Sequence, residues 1–185
     1  MENFAFQPFQ VDTYISKWEK LLISQKSQNA MIIHDSNIIS NHKVTKKTPR
    51  YQTIVNDVMR TRVADRRDDP NFEEDLLHLL VFYCECNTIE YKQGMNEIIG
   101  ALYLMRKHSS KKIELYTIFN IFSCFIDIYF TNYFWEKELY ALQSSISLVE
   151  LLLKYHEPEL YFLFQKSFVT SQVYATNWIL TTYAK

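Results

Sequence analysis

The chain contains only two glycines, Gly94 and Gly100, and four prolines among its 185 residues. Connections between β-strands consume glycine, proline and other turn-forming residues, so a sandwich or a barrel would need many more of them. Connections between helices need few. The scarcity of turn residues therefore favours an all-α fold, and the length suits a single domain with a sizeable core.

Helical periodicity is clearest in the most apolar part of the chain, residues 115–135. Its apolar side chains recur at intervals of three and four residues, as those of a buried helix do: Ile118, Phe119, Phe122, Phe125, Ile126 and Tyr129. Asp127 interrupts the run, and the uncharged stretch before it is too short to span a bilayer. We therefore predict a core helix and no direct membrane insertion.

Similar patterns predict the rest of the architecture. Residues 25–49 read as loop or a short broken helix, and residues 61–71 as a charged connector. The remaining predicted helices cover residues 11–24, 51–60, 73–86, 95–107, 139–156, 159–166 and 172–184. We expect one domain over residues 11–185 after a short extension, residues 1–10. Because the last helix is amphipathic and lacks a capping glycine, the fold is expected to be truncated at its C-terminal end.

Charge excludes one class of partner and leaves another open. The net charge is −1, so no general attraction to nucleic acid is expected. Residues 43–67, however, carry eight Lys and Arg against two Asp. This basic segment is either a solvated loop or a surface that meets phosphate or an acidic partner.

The three cysteines, Cys84, Cys86 and Cys124, form no disulfide framework and have no second pair at zinc-binding spacing. They indicate a reduced, cytoplasmic setting and buried helix positions. A hydrolase built on Cys84, Cys86 or His78 is a further hypothesis, although no set of nucleophile, base and orienting group is apparent for it.

Two short polar segments stand out from the helical background. In "IVNDVMRTR", Asp57 and Arg60 are three residues apart and so share a helix face. In "EYKQGMN", Gln93 and Gly94 lie where a loop turns into a helix. Spacing alone favours a local ion pair for the first, and a loop residue that ties down its own backbone for the second.

The two segments also resemble a pair of family motifs. "IVNDVMRTR" is similar to the I-x-x-D-x-x-R-T motif of TBC-domain proteins, and "EYKQGMN" to their Y-x-Q-G-M-N motif. Later segments, "EPELYFLF" and "ATNWILTTYAK", resemble the family's P-x-L and W-x-L-T segments, so that residues 18–185 are covered. The resemblance implies an irregular multi-helix domain that activates Rab-type small GTPases in vesicle trafficking.

The resemblance also implies roles for individual residues. Arg60 matches the family's arginine finger, and Gln93 its glutamine finger, which orients the attacking water in place of the GTPase's own glutamine. Five further residues are expected to support the site or to bind the GTPase. Asp57 would hold Arg60, Thr61 would brace the next turn, Tyr91 would pack against the switch region or support the loop, Gly94 would give clearance, and Met95 belongs to the same motif.

No cofactor of the chain's own is implied, because GTP and Mg²⁺ are carried by the partner GTPase. A cytoplasmic location follows, peripheral at endomembranes through that partner. Two departures from the family pattern matter: the usual proline two residues after the finger is replaced by Arg62, and the family's last helices are absent. A catalytically silent TBC-like scaffold that binds a GTPase or another trafficking protein is therefore the alternative.

Overall fold

A computed structural model describes residues 8–24, 30–62, 69–134 and 139–183. All regular structure in these ranges is helical, which confirms the predicted all-α class. The α-helices are α1 (Pro8–Ser24), α2 (Ser36–Asn41), α3 (Tyr51–Arg60), α4 (Phe72–Asn87), α5 (Met95–Met105), α6 (Leu115–Phe125), α7 (Thr131–Phe134), α8 (Tyr140–His156), α9 (Pro158–Lys166) and α10 (Ser171–Thr181). A 3₁₀ turn, Arg106–His108, extends α5, and a π-helical turn, Ile126–Phe130, follows α6.

The chain divides into two compact units, Met1–Phe130 and Thr131–Lys185. In the first unit, α4 packs against α3, α5 and α6, and α6 also packs against α1. Aromatic rings join α4 to α6, with Tyr83 4.9 Å from Phe122 and Phe82 5.1 Å from Phe119 between ring centroids. The two helices that carry the candidate site, α3 and α5, both pack against α4 of this aromatic core.

In the second unit, α8 packs against α9 and α10 around Leu142, Ile146 and Ala175. The hydroxyl of Ser171, at the start of α10, donates to Glu150 of α8 at 2.7 Å. Between α8 and α9 the chain turns at Glu157, and Pro158 occupies the first helical position, where its missing N–H costs nothing.

One predicted burial pattern is wrong at the end of the phenylalanine-rich helix. Ile118, Phe119, Phe122 and Ile126 are buried as predicted and Phe125 is half-buried, but Tyr129 is 52% exposed and Phe130 is buried instead. The π-helical turn over Ile126–Phe130 accounts for the shift, because a wider turn advances the buried position by one residue. A regular 3.6-residue period cannot predict this change.

The other helix predictions agree with the structure apart from their ends. α3 spans the predicted residues 51–60, and α2 is the short helix allowed for in the polar stretch. α1 begins at Pro8, inside the predicted N-terminal extension. Most of the charged connector, residues 63–68, lies outside the described residues.

Candidate functional site

The first candidate segment is the end of α3. Arg60 is the last residue of the helix, and the chain turns into extended backbone at Thr61, with φ −71° and ψ 125°. Arg60 Nη2 donates to Asp57 Oδ1, so the predicted ion pair is present. The two side chains differ sharply in exposure, 56% for Arg60 and 1% for Asp57. The carboxylate is therefore anchored inside the protein while the guanidinium faces solvent.

The second segment is the turn that leads into α5. Gly94 precedes the helix with φ 109° and ψ −30°, a backbone conformation that residues with a side chain rarely adopt. The glycine is thus required by the turn itself, whether or not a partner approaches it. Gln93 is exposed, and its amide makes no hydrogen bond to another described residue. The predicted tie between Gln93 and its own backbone is not seen.

A buried ring of polar contacts joins the two segments. The Tyr91 hydroxyl lies 2.9 Å from Asp57 Oδ2 and 2.8 Å from Asn96 Oδ1. Asn96 Nδ2 donates to Thr61 Oγ1 at 2.7 Å, and that hydroxyl donates to the Asp57 carbonyl at 2.6 Å. The side chains of Asp57, Thr61, Tyr91 and Asn96 therefore have one another as polar partners inside the protein.

Tyr91 can act only as a neutral donor in this ring. Burial, together with the charge of the Asp57 carboxylate, raises the pKa of Tyr91 above its ordinary value. The phenol has a single proton, and a carboxylate accepts it more strongly than an amide does. Asn96 Oδ1 has a donor of its own, the Gly94 backbone N–H at 3.2 Å. The ring thus reaches the residue that follows Gln93.

Close packing at the second glycine brings α5 against the end of α3. A Cβ placed on Gly100 would lie 2.9 Å from Thr61 Cγ2 and 3.6 Å from Leu76 Cδ2. The first distance is shorter than real side-chain contacts allow. Gly100 is therefore a small residue at a point where two helices pack closely. The side chain that leaves no room for a Cβ there is Thr61, which directly follows Arg60.

Two acidic side chains outside the ring, Glu85 and Glu90, position the start of α3. The Glu85 carboxylate of α4 accepts hydrogen bonds from His42 Nε2 at 2.6 Å, from Thr45 Oγ1 at 2.8 Å and from the Thr48 hydroxyl. These bonds attach the loop before α3 to α4. Arg50, the residue before α3, pairs with Glu90 at 3.0 Å. The helix that ends at Arg60 is thus fixed at both ends.

The cysteines show no sign of activation. Burial raises the pKa of Cys84 to about 12 and that of Cys124 to about 11, and it also raises the pKa of Cys86. A nucleophilic cysteine needs the opposite shift, because the thiolate is the reactive form. The structure therefore speaks against a hydrolase that uses these residues.

The described part of the basic segment is mostly exposed. Lys43, Lys46 and Lys47 are exposed, and Arg62 is half-buried with φ 41°. Arg66 and Arg67 lie outside the described residues.

The sequence analysis gave no role to Asn96, although a polar residue inside the apolar stretch "MNEIIGALYL" was a usable signal.

The fold and the two segments define a class of protein: an all-helical domain that presents an arginine and a glutamine on turns joined by a buried polar ring. A family model of the Rab-GTPase-TBC domain matches residues 15–185. The chain therefore belongs to the Rab-GTPase-TBC domain family, as its two motifs indicated.

The structure is also similar to the crystal structure of the Ypt/Rab-GAP domain of Gyp1p, with a TM-score of 0.58 and 13% sequence identity. The similarity covers 92% of this chain and 57% of that one, so the chain spans little more than half the length of the Gyp1p domain. At this identity the likeness concerns the fold. None of the helices in the described ranges is long and apolar enough to cross a membrane.

Proposed function

We propose that this chain is a GTPase-activating domain for a Rab-type small GTPase, to which it supplies Arg60 and Gln93 in trans. The observation that carries the proposal is the contrast within the site. Arg60 and Gln93 are exposed, whereas Asp57, Thr61, Tyr91 and Asn96, which connect their turns, are buried and hydrogen-bonded. A guanidinium and an amide held on ordered turns suit delivery into a partner's active site.

The chemistry of GTP hydrolysis gives both groups a role. Negative charge develops on the oxygens around the transferred phosphoryl group, and a guanidinium placed there lowers the barrier. Arg60 uses Nη2 for Asp57, and a guanidinium has five N–H donors, so donors remain for phosphate oxygens. The Gln93 amide combines an acceptor with two donors, which suits it to orient the attacking water.

The supporting residues act from within the domain. Tyr91 is 1% exposed and Met95 is 0% exposed, which favours a role beneath the turn over direct contact with the GTPase. Thr61 braces the turn after Arg60 through its two hydrogen bonds. Gly94 gives the turn its conformation, and clearance for the partner is a second role that the same residue can have.

By itself the chain is not an enzyme, because it supplies catalytic residues in trans to the GTPase. GTP and Mg²⁺ are carried by the GTPase, and the domain has no cofactor of its own. Its place is the cytoplasm and the surface of endomembranes, which it reaches through its membrane-anchored partner during vesicle trafficking.

Single-turnover GTP hydrolysis across a panel of Rab GTPases tests the proposal. For the responsive Rab, Arg60→Ala should slow the stimulated rate by roughly 10³–10⁵-fold, and Gln93→Ala should also slow it strongly. Lys166→Ala is the matched control, because it removes an exposed cation from the last position of another helix, α9. Equal slow rates for the native chain and for both finger variants would contradict the proposal.

The silent scaffold is the second candidate. It is favoured by the engagement of Arg60 with Asp57, since an arginine committed to a structural ion pair needs no catalytic role. A scaffold would bind a Rab with measurable affinity but leave its hydrolysis rate unchanged. Affinity and rate measured on the same Rab therefore separate the two candidates.

A further inference from the structure

The turns that carry Arg60 and Gln93 share one buried side chain, the amide of Asn96. Its Nδ2 is 2.7 Å from Thr61 Oγ1, and its Oδ1 is 3.2 Å from the backbone nitrogen of Gly94. Thr61 directly follows Arg60, and Gly94 directly follows Gln93. A single amide that is 3% exposed thus touches the neighbour of each finger.

A second path runs between the same two turns. Asp57 binds the Arg60 guanidinium through Oδ1 and lies next to the Tyr91 hydroxyl through Oδ2. That hydroxyl in turn lies 2.8 Å from Asn96 Oδ1. Because Asp57, Tyr91 and Asn96 are buried, the loss of one of them leaves its neighbours without a replacement partner. Movement of one turn is therefore opposed by the bonds of the other.

We propose that Asn96 is a positioning residue that couples Arg60 to Gln93, so that the domain presents the two side chains as one unit. This inference rests on the proposed function and adds a coupling to it. The attacking water and the leaving oxygen lie roughly in line through the transferred phosphoryl group. A guanidinium and an amide that act on that line need a fixed mutual geometry, which small displacements would spoil.

Thr61→Val and Thr61→Ser test the coupling with little change in shape. Valine keeps the branched side chain but removes the hydroxyl that joins Asn96 to Asp57, whereas serine keeps the hydroxyl. At saturating concentrations of the chain, Thr61→Val should lower the maximal hydrolysis rate roughly tenfold, as expected for one lost buried hydrogen bond. The half-saturating concentration should change little, and Thr61→Ser should restore most of the rate.

The decisive comparison uses the Gln93→Ala background. If Asn96 holds the two fingers together, Thr61→Val should cost much less once Gln93 is already absent. An equal fold-loss in both backgrounds would overturn the coupling and leave Thr61 as a brace for Arg60 alone. A loss that appears only in the half-saturating concentration would overturn it as well.

The two glycines allow a readout that does not depend on any GTPase. A chain labelled with ¹⁵N only at glycine gives two amide signals, from Gly94 and Gly100. Thr61→Val should accelerate hydrogen exchange at the Gly94 amide by roughly tenfold, because Asn96 loses the bond that orients it. Thr61→Ser should leave that exchange close to native.

This measurement keeps the two hypotheses distinguishable. If no Rab responds to the chain, the proposed function fails, yet the exchange rate of Gly94 still decides whether the turns are coupled. If Gly94 exchanges equally fast in the native chain and in Thr61→Val, the coupling is wrong, whatever the hydrolysis assay shows.

Discussion

Asp57 is the residue on which most of the candidate site depends. Its carboxylate is 1% exposed and is held by Arg60 and Tyr91, while its carbonyl accepts from Thr61. Burial of a charged group is costly unless opposite charge and hydrogen bonds accompany it. Each of these partners therefore contributes to stability as well as to the placement of the exposed guanidinium.

Tyr91→Phe tests this dependence at a single atom. The substitution removes only the hydroxyl next to Asp57 and Asn96, and it should lower the free energy of unfolding by about 1–3 kcal/mol. Urea denaturation measures the loss. Tyr103→Phe is the matched control, because the Tyr103 hydroxyl donates to Asp75 at 2.7 Å and that acceptor retains 23% exposure. An equal loss in both variants would show that burial of the acceptor is unimportant.

Gly100→Ala tests the contact between α5 and the end of α3. Alanine normally favours a helix by about 1 kcal/mol over glycine. Here its Cβ would meet Thr61 Cγ2 at 2.9 Å, so we expect a net destabilisation of about 1–3 kcal/mol in urea denaturation.

Thr61→Ser supplies the control for that contact. It removes the obstructing methyl and keeps the hydroxyl, so Gly100→Ala should cost clearly less in the Thr61→Ser background than in the native chain. Strictly additive effects of the two substitutions would show that this pair does not set the approach of the helices.

At the scale of helices, local periodicity predicted most of the fold. α3 was predicted at its observed limits because Ile54, Val55 and Val58 repeat at helical spacing between polar neighbours. The π-helical turn after Phe125 was missed, since a single wider turn leaves the three- and four-residue spacing of the apolar residues before it unchanged. The loop before α3 was also left undefined, because its structure comes from contacts with Glu85 of α4, far away in the sequence.

The same loop gives a prediction about pH. Burial alone would raise the pKa of Glu85, but hydrogen bonds from Thr48, His42 and Thr45 outweigh it and leave the pKa below the ordinary value of 4.5. The stabilisation is therefore fully present above about pH 4.5 and is lost as the pH falls through the lowered pKa.

Glu85→Gln isolates this contribution, because it keeps the shape and removes the charge. The native chain should unfold at a higher urea concentration than Glu85→Gln at pH 7, and the difference should shrink below pH 4.5. A difference that is constant from pH 7 to pH 3 would contradict the assignment.

For the whole molecule, the sequence predicted the membership of the family and the Asp57–Arg60 pair, but not the contacts that join the two turns. Arg60 and Gln93 were found because their types and motif positions could be read directly. Asn96 was passed over because its importance comes from Thr61 and Tyr91, which are distant from one another in sequence and meet only in the folded chain. The division into two units was not predicted either, since no composition change marks residue 130.

The proposed role of Gln93 in orienting the attacking water in trans can be tested with a Rab whose own catalytic glutamine is replaced by leucine. Single-turnover GTP hydrolysis by that Rab is measured with the native chain, with Gln93→Ala and with Arg60→Ala. If Gln93 has this role, the native chain should still accelerate hydrolysis to within about tenfold of its effect on the unmodified Rab, and both variants should abolish the acceleration. Acceleration that requires the Rab's own glutamine and is indifferent to Gln93 would contradict it.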